Sequence, residues 1–304
     1  MPSGYRQEFC RNLLLVAVPW TLRHETCKSM SSIPVSPDNE RALRDTGRAA
    51  AGALLFSLPL LMTMELWYIA VYIERWKLLL FLSSSFPLLI VLSRLIGFEK
   101  TSGWSDAIKD CLVAVGISFT TCFAILFLLG VLSSDLNLDS LIGAVAVQLV
   151  PASIGALLAR SQLGVEKEED RERQESYSRE LFLMAIGALF LTFNLAPTEE
   201  TLLISFKITY LHTLAIVVVS LLIMHGFVFS LGFAGGSELT EELTTPRAFL
   251  YFTLPGYLIS ALLSFYLLWI FGSLDGLAPG PISKAVVVQA LPASIGAAAA
   301  RLIL

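Results

Sequence analysis

Charge is scarce in this sequence: Lys, Arg, Asp and Glu supply 15% of its 304 residues, and histidine occurs three times. A soluble domain of this size carries about 25% charged residues, so a water-facing surface over most of the chain is excluded. A basic patch is missing too. The net charge of -4 gives no footing for a nucleic-acid partner. Four cysteines, Cys10, Cys27, Cys111 and Cys122, include no CxxC pair, which excludes a thiolate metal cage and a disulfide framework and leaves free thiols. HExxH, GxSxG, Walker A and dinucleotide glycine fingerprints are all lacking. The expectation is therefore a protein that is not an enzyme and needs no organic cofactor.

Apolar residues are what the chain has in abundance, at 55%, with a mean hydropathy of +0.72. Apolar stretches at about 49–73, 78–98, 107–133 and 141–161, then 181–206, 208–233, 247–272 and 283–304, are each long enough to cross a ~30 Å hydrocarbon core. The fold class expected is an all-α polytopic membrane protein of about eight spans. Residues 1–47 read as a polar arm, with an apolar run from Leu13 to Trp20 that is too short to span. The charged stretch 163–180 reads as a loop held in water. It separates membrane segments 48–162 and 181–304.

These two segments repeat each other in letters. VQLVPASIGALLAR (147–160) recurs as VQALPASIGAAAAR (288–301), and GALLFSLPLLMTMEL (52–66) aligns with GALFLTFNLAPTEET (187–201) at an offset of 135. That register pairs Thr63 with Thr198 and Glu65 with Glu200. Two tandem four-helix repeats share one topology, which implies a pseudo-two-fold axis along the membrane normal. A re-entrant segment in each half would instead invert the repeat. Arg41, Arg44 and Arg48, with the arginines and Lys167 of the central loop, set those ends and both termini on the cytoplasmic side.

An acidic side chain among apolar helices costs on the order of 2 to 3 kcal/mol, which singles out Glu65, Glu199 and Glu200. At about 1.5 Å per residue from position 49, Glu65 falls roughly 24 Å into the core. Pro59, Asn194 and Pro197 free backbone carbonyls nearby, and Thr63 and Thr198 add hydroxyls. This oxygen-rich set suits Ca²⁺, Mg²⁺, Mn²⁺, Na⁺ or a proton, with Glu65 and Glu200 as the metal-ligand candidates. A plainer reading stands beside it: Glu65 reaches the headgroups next to Trp67 and Tyr68, and Glu199 with Glu200 caps a short helix.

Gln148, Gln289, Ser153 and Ser294 form a second polar layer, expected to line a pathway. The small residues of the PASIGA strings (Ala152 with Ala156, Ala293 with Ala297) let helices approach closely. His212 and His225, 13 residues apart on one helix, lack a third ligand.

The tandem PASIGA segments with the NLAPTEE stretch resemble a family of bacterial integral membrane proteins, over about residues 45–304. The resemblance implies a bacterial inner (plasma) membrane location and transfers no activity. The functional expectation is cation transport through a secondary transporter, proton-coupled or not, or a channel, with the repeated carboxylates facing each other near the axis. The partners are the lipid bilayer and an inorganic cation or proton, with room for a homo-oligomer. A non-transporting scaffold or sensor, acting through the arm and the central loop, is the alternative.

Overall fold

In the computed structural model, residues 37–96, 103–131, 138–162, 177–229 and 245–303 are described. Most of the arm and nearly all of the central charged loop lie outside them. The first half comprises α1 (Pro37–Leu61), α2 (Met64–Tyr72), α3 (Arg75–Ile96), α4 (Trp104–Leu128) and α5 (Leu138–Gln162). The second comprises α6 (Tyr177–Leu195), α7 (Glu200–Lys207), α8 (Tyr210–Phe229), α9 (Thr245–Ala248), α10 (Leu254–Ile270) and α11 (Pro279–Ile303). A π turn, Phe249–Thr253, joins α9 to α10 just before Pro255, where a wider turn accommodates a ring that an α-helix interior would reject.

Seven helices among the described residues are long and apolar enough to cross a membrane, and eight if α1 and α2 form one span. The regular structure of the described residues is thus all-helical, with seven or eight spans against the eight expected. The first span differs from expectation. It does not run straight from 49 to 73 but bends by 85° between α1 and α2. Pro59 lies two residues before the end of α1, and Thr63 adopts an extended φ of -91° and ψ of 128°. The loose carbonyls at this break are satisfied locally, as lipid requires. Leu60 O accepts from the Thr63 N–H at 3.0 Å and the Thr63 hydroxyl at 2.8 Å, and Leu61 O accepts from the Trp67 indole at 3.0 Å.

The matched segment breaks in the same place: Leu195 O accepts from the Thr198 N–H at 3.1 Å and the Thr198 hydroxyl at 2.8 Å. α4 and α10 also end alike. Gly130 (φ 69°) and Gly272 (φ 78°) take the left-handed conformation, and the next residues, Val131 and Ser273, donate to Leu126 O and Leu268 O at 3.0 and 2.9 Å. Both are glycine-capped Schellman turns.

α5 lies at the centre, with 83% of its span buried inside the protein, whereas α8 has 11% and faces the surroundings. The repeated glycines explain how the central helices close up. A Cβ on Gly52 would overlap Gly155 O and Ala159 Cβ, and one on Gly187 would overlap Gly296 O and Ala300 Cβ. Backbone therefore rests on backbone between α1 and α5 and again between α6 and α11. Ala152, Ala156, Ala293 and Ala297 are fully buried, in keeping with the packing role read from the small residues.

Candidate functional site

The repeated Thr-x-Glu elements sit at matched helix breaks, just after the ends of α1 and α6. Glu65 lies in the first turn of α2 and Glu200 in the first turn of α7, with Glu199 as the residue capping α7. A carboxylate in a first turn gains about 0.3–1 kcal/mol from the helix dipole, which accounts for part of their presence. Their burial differs from the sequence expectation of carboxylates enclosed among helices. Glu65 is only half-buried, and Glu199 and Glu200 are exposed, because the breaks place them at the edge of the packed body. No side-chain hydrogen bond or ion pair joins the carboxylate of any of the three to another described residue.

The neutral ligand candidates are largely committed to their own helices. The Thr63 and Thr198 hydroxyls donate to the carbonyls that close the breaks. Asn194, at the position matching Pro59, donates from Nδ2 to Phe190 O at 2.7 Å, while its Oδ1 is buried without a partner. Among the described residues no three His, Cys, Asp or Glu side chains converge on one point. Each described histidine meets a hydroxyl instead: His212 with Thr209 at 2.7 Å and His225 with Thr253 at 3.0 Å.

The second polar layer is buried throughout, but its members differ. Ser153 and Ser294 donate to Leu149 O and Leu291 O on their own helices, both at 2.7 Å. Gln289 accepts from Thr201 Oγ1 at 2.9 Å and donates to Thr192 O at 3.2 Å, which ties α11 to α6 and α7 at the second break. Gln148 has no partner for either Oε1 or Nε2.

Between the halves the lining changes character. A cavity of about 430 Å³ is walled almost wholly by carbon, from matched positions such as Gly52 with Gly187, Leu55 with Phe190, and Ala159 with Ala300. No carboxylate, glutamine or serine of the candidate set lines it. The Phe56 and Phe190 rings meet nearby at 4.5 Å, and Phe81 lies 5.9 Å from Phe193 and 6.0 Å from Phe271.

One polar link across this seam escaped the sequence reading. Lys77 of α3 is bound to Asp275, after α10, at 2.7 and 3.0 Å, with its amine about 6.0 Å from the centres of the Trp76 and Trp269 rings. The lysine side chain is 5% exposed and its partner 55%. The sequence offered a signal, an apolar span opening on Lys77 and a lone acid between Gly272 and Gly276, but 198 residues separate the pair. Thr192 and Thr201 were missed as well, although they align with Ser57 and Leu66 at the offset of 135.

A family model described as "Putative integral membrane protein (DUF2391)" matches residues 45–304. No curated protein and no solved structure matches the chain.

Proposed function

Because the chain belongs to that family of integral membrane proteins, we propose that it moves a small cation across the bilayer, as a carrier whose binding residues stand at the two matched helix breaks. The observation that carries this reading is the matched pair of breaks, each with Thr-x-Glu at its turn and a carboxylate bonded to no other described side chain. Interrupted apolar segments at corresponding positions of two halves are where membrane carriers commonly bind their cargo. Glu65 and Glu200 supply the charge, Glu199 a further carboxylate, and Asn194 Oδ1 a neutral oxygen. Thr63 and Thr198 keep lone pairs free after donating their protons.

A carrier fits better than an open channel. The carbon-lined seam and the Phe56–Phe190 contact offer an ion no hydrated route along a central axis. Protonation of a carboxylate would compete with the cation, coupling flux to pH. In this proposal the chain sits in a bacterial inner membrane with both termini in the cytoplasm, and its halves are related by an axis along the membrane normal.

The test is flux of Na⁺, K⁺, Ca²⁺, Mg²⁺, Mn²⁺ and protons in proteoliposomes, comparing wild type with the Glu65→Gln, Glu200→Gln double variant. Flux of one cation that disappears in the double variant is expected. Folded wild-type protein that moves none of them, or flux untouched by the double substitution, would overturn the reading.

A further inference from the structure

We propose that the Gln148 carboxamide, inside the first half, is a binding site for a small neutral molecule that both donates and accepts hydrogen bonds, water being the smallest of that class. Gln148 lies near the middle of α5 and is fully buried, with no partner for Oε1 or for Nε2. Polar atoms shut away from water in a membrane protein need partners, and here the protein supplies none.

The second half serves as an internal comparison. Gln289, the matched residue, is equally buried and has both ends bonded, to Thr201 and to Thr192 O. At the offset of 135, Thr201 corresponds to Leu66, which has no hydroxyl to give. The first half thus keeps the amide and lacks its donor.

The surroundings of Gln148 are polar in other respects. The Cys122 thiol of α4 donates to the Gln148 backbone carbonyl at 3.8 Å, and the buried Ser57 hydroxyl of α1 donates to Ala53 O at 2.6 Å. One turn before Cys122, the buried Ser118 hydroxyl is also without a partner. The class of ligand follows from the amide. A bare cation would satisfy Oε1 alone and an anion Nε2 alone, whereas a molecule with both functions satisfies both. Polar molecules would then enter the first half and not the second. This holds whether or not Glu65 and Glu200 carry a cation.

The experiment uses the full chain in lipid vesicles and the small neutral thiol reagent 2-hydroxyethyl methanethiosulfonate, whose hydroxyl both donates and accepts hydrogen bonds, read by mass spectrometry. In one protein Cys10, Cys27 and Cys111 are replaced, leaving Cys122. In the other all four cysteines are replaced and Ser264→Cys is introduced, Ser264 standing eight residues before Gly272 as Cys122 stands before Gly130. Cys122 is expected to react roughly tenfold faster than the cysteine at position 264, and Gln148→Met to slow Cys122 by a similar factor. Equal rates at the two positions, a Cys122 rate indifferent to Gln148→Met, or reaction only after denaturation would overturn the proposal. The comparison of 122 with 264 leaves Gln148 untouched, so it decides even where the Met variant fails to fold. Loss of cation flux would leave these rates unchanged, so the two proposals fail separately.

Discussion

Thr201 donates a 2.9 Å hydrogen bond to Gln289, joining the short helix after the second break to the last helix of the protein. Removing either partner strands the other in an apolar interior. Thr201→Val and Gln289→Leu should each cost about 1–2 kcal/mol in unfolding experiments in detergent, and the double variant should cost less than the sum of the two. Gln148→Leu strands no protein group, and its cost should stay below about 1 kcal/mol.

The glycine contacts make a second expectation. Alanine at Gly52, Gly155, Gly187 or Gly296 would drive a methyl group into the facing backbone, which cannot rotate away. Each substitution should destabilise by about 1–3 kcal/mol. Gly116 and Gly226 have nothing within 4 Å of a new Cβ, so alanine there should be neutral or mildly stabilising, as helix propensity dictates. A melting series over the six positions checks the contrast.

The Lys77–Asp275 pair should respond unequally to its two deletions. Asp275→Asn leaves a nearly enclosed ammonium without its counter-charge, a loss of about 3 kcal/mol. Lys77→Met leaves a carboxylate that is already half in contact with its surroundings, and should cost clearly less. Thermal unfolding of the two single variants and the double variant would measure the asymmetry. Equal losses would show that burial of the lysine does not set the energetics of the pair.

The span count was legible because hydropathy depends on composition alone. The bend at Thr63 was not, since the chain stays apolar straight through it, and a proline is no guide to a break here: Pro87, Pro151 and Pro292 lie inside helices that continue. The depth of Glu65 was counted along a straight helix, so an 85° turn removes the basis of that count. The small-residue reading of PASIGA held because glycine against glycine is a local matter of shape. The glutamines were matched in letters, and what separates them lies on other helices, where Thr201 in the second half corresponds to Leu66 in the first. Lys77 and Asp275 show the same limit, each unremarkable until the fold brings them together.

The cavity between the halves is walled by methyl, methylene and ring carbons, with no bond length to fix its width. Lys77 and Asp275, near the starts of α3 and α11, hold the opposite end of the seam to a fixed charge-to-charge distance. Lateral pressure from neighbouring acyl chains therefore acts unevenly along the protein, compressing the carbon-walled end more readily than the ion-paired one. Bilayers of different chain length or saturation would then change the angle between the halves while their separation at the lysine stays nearly constant.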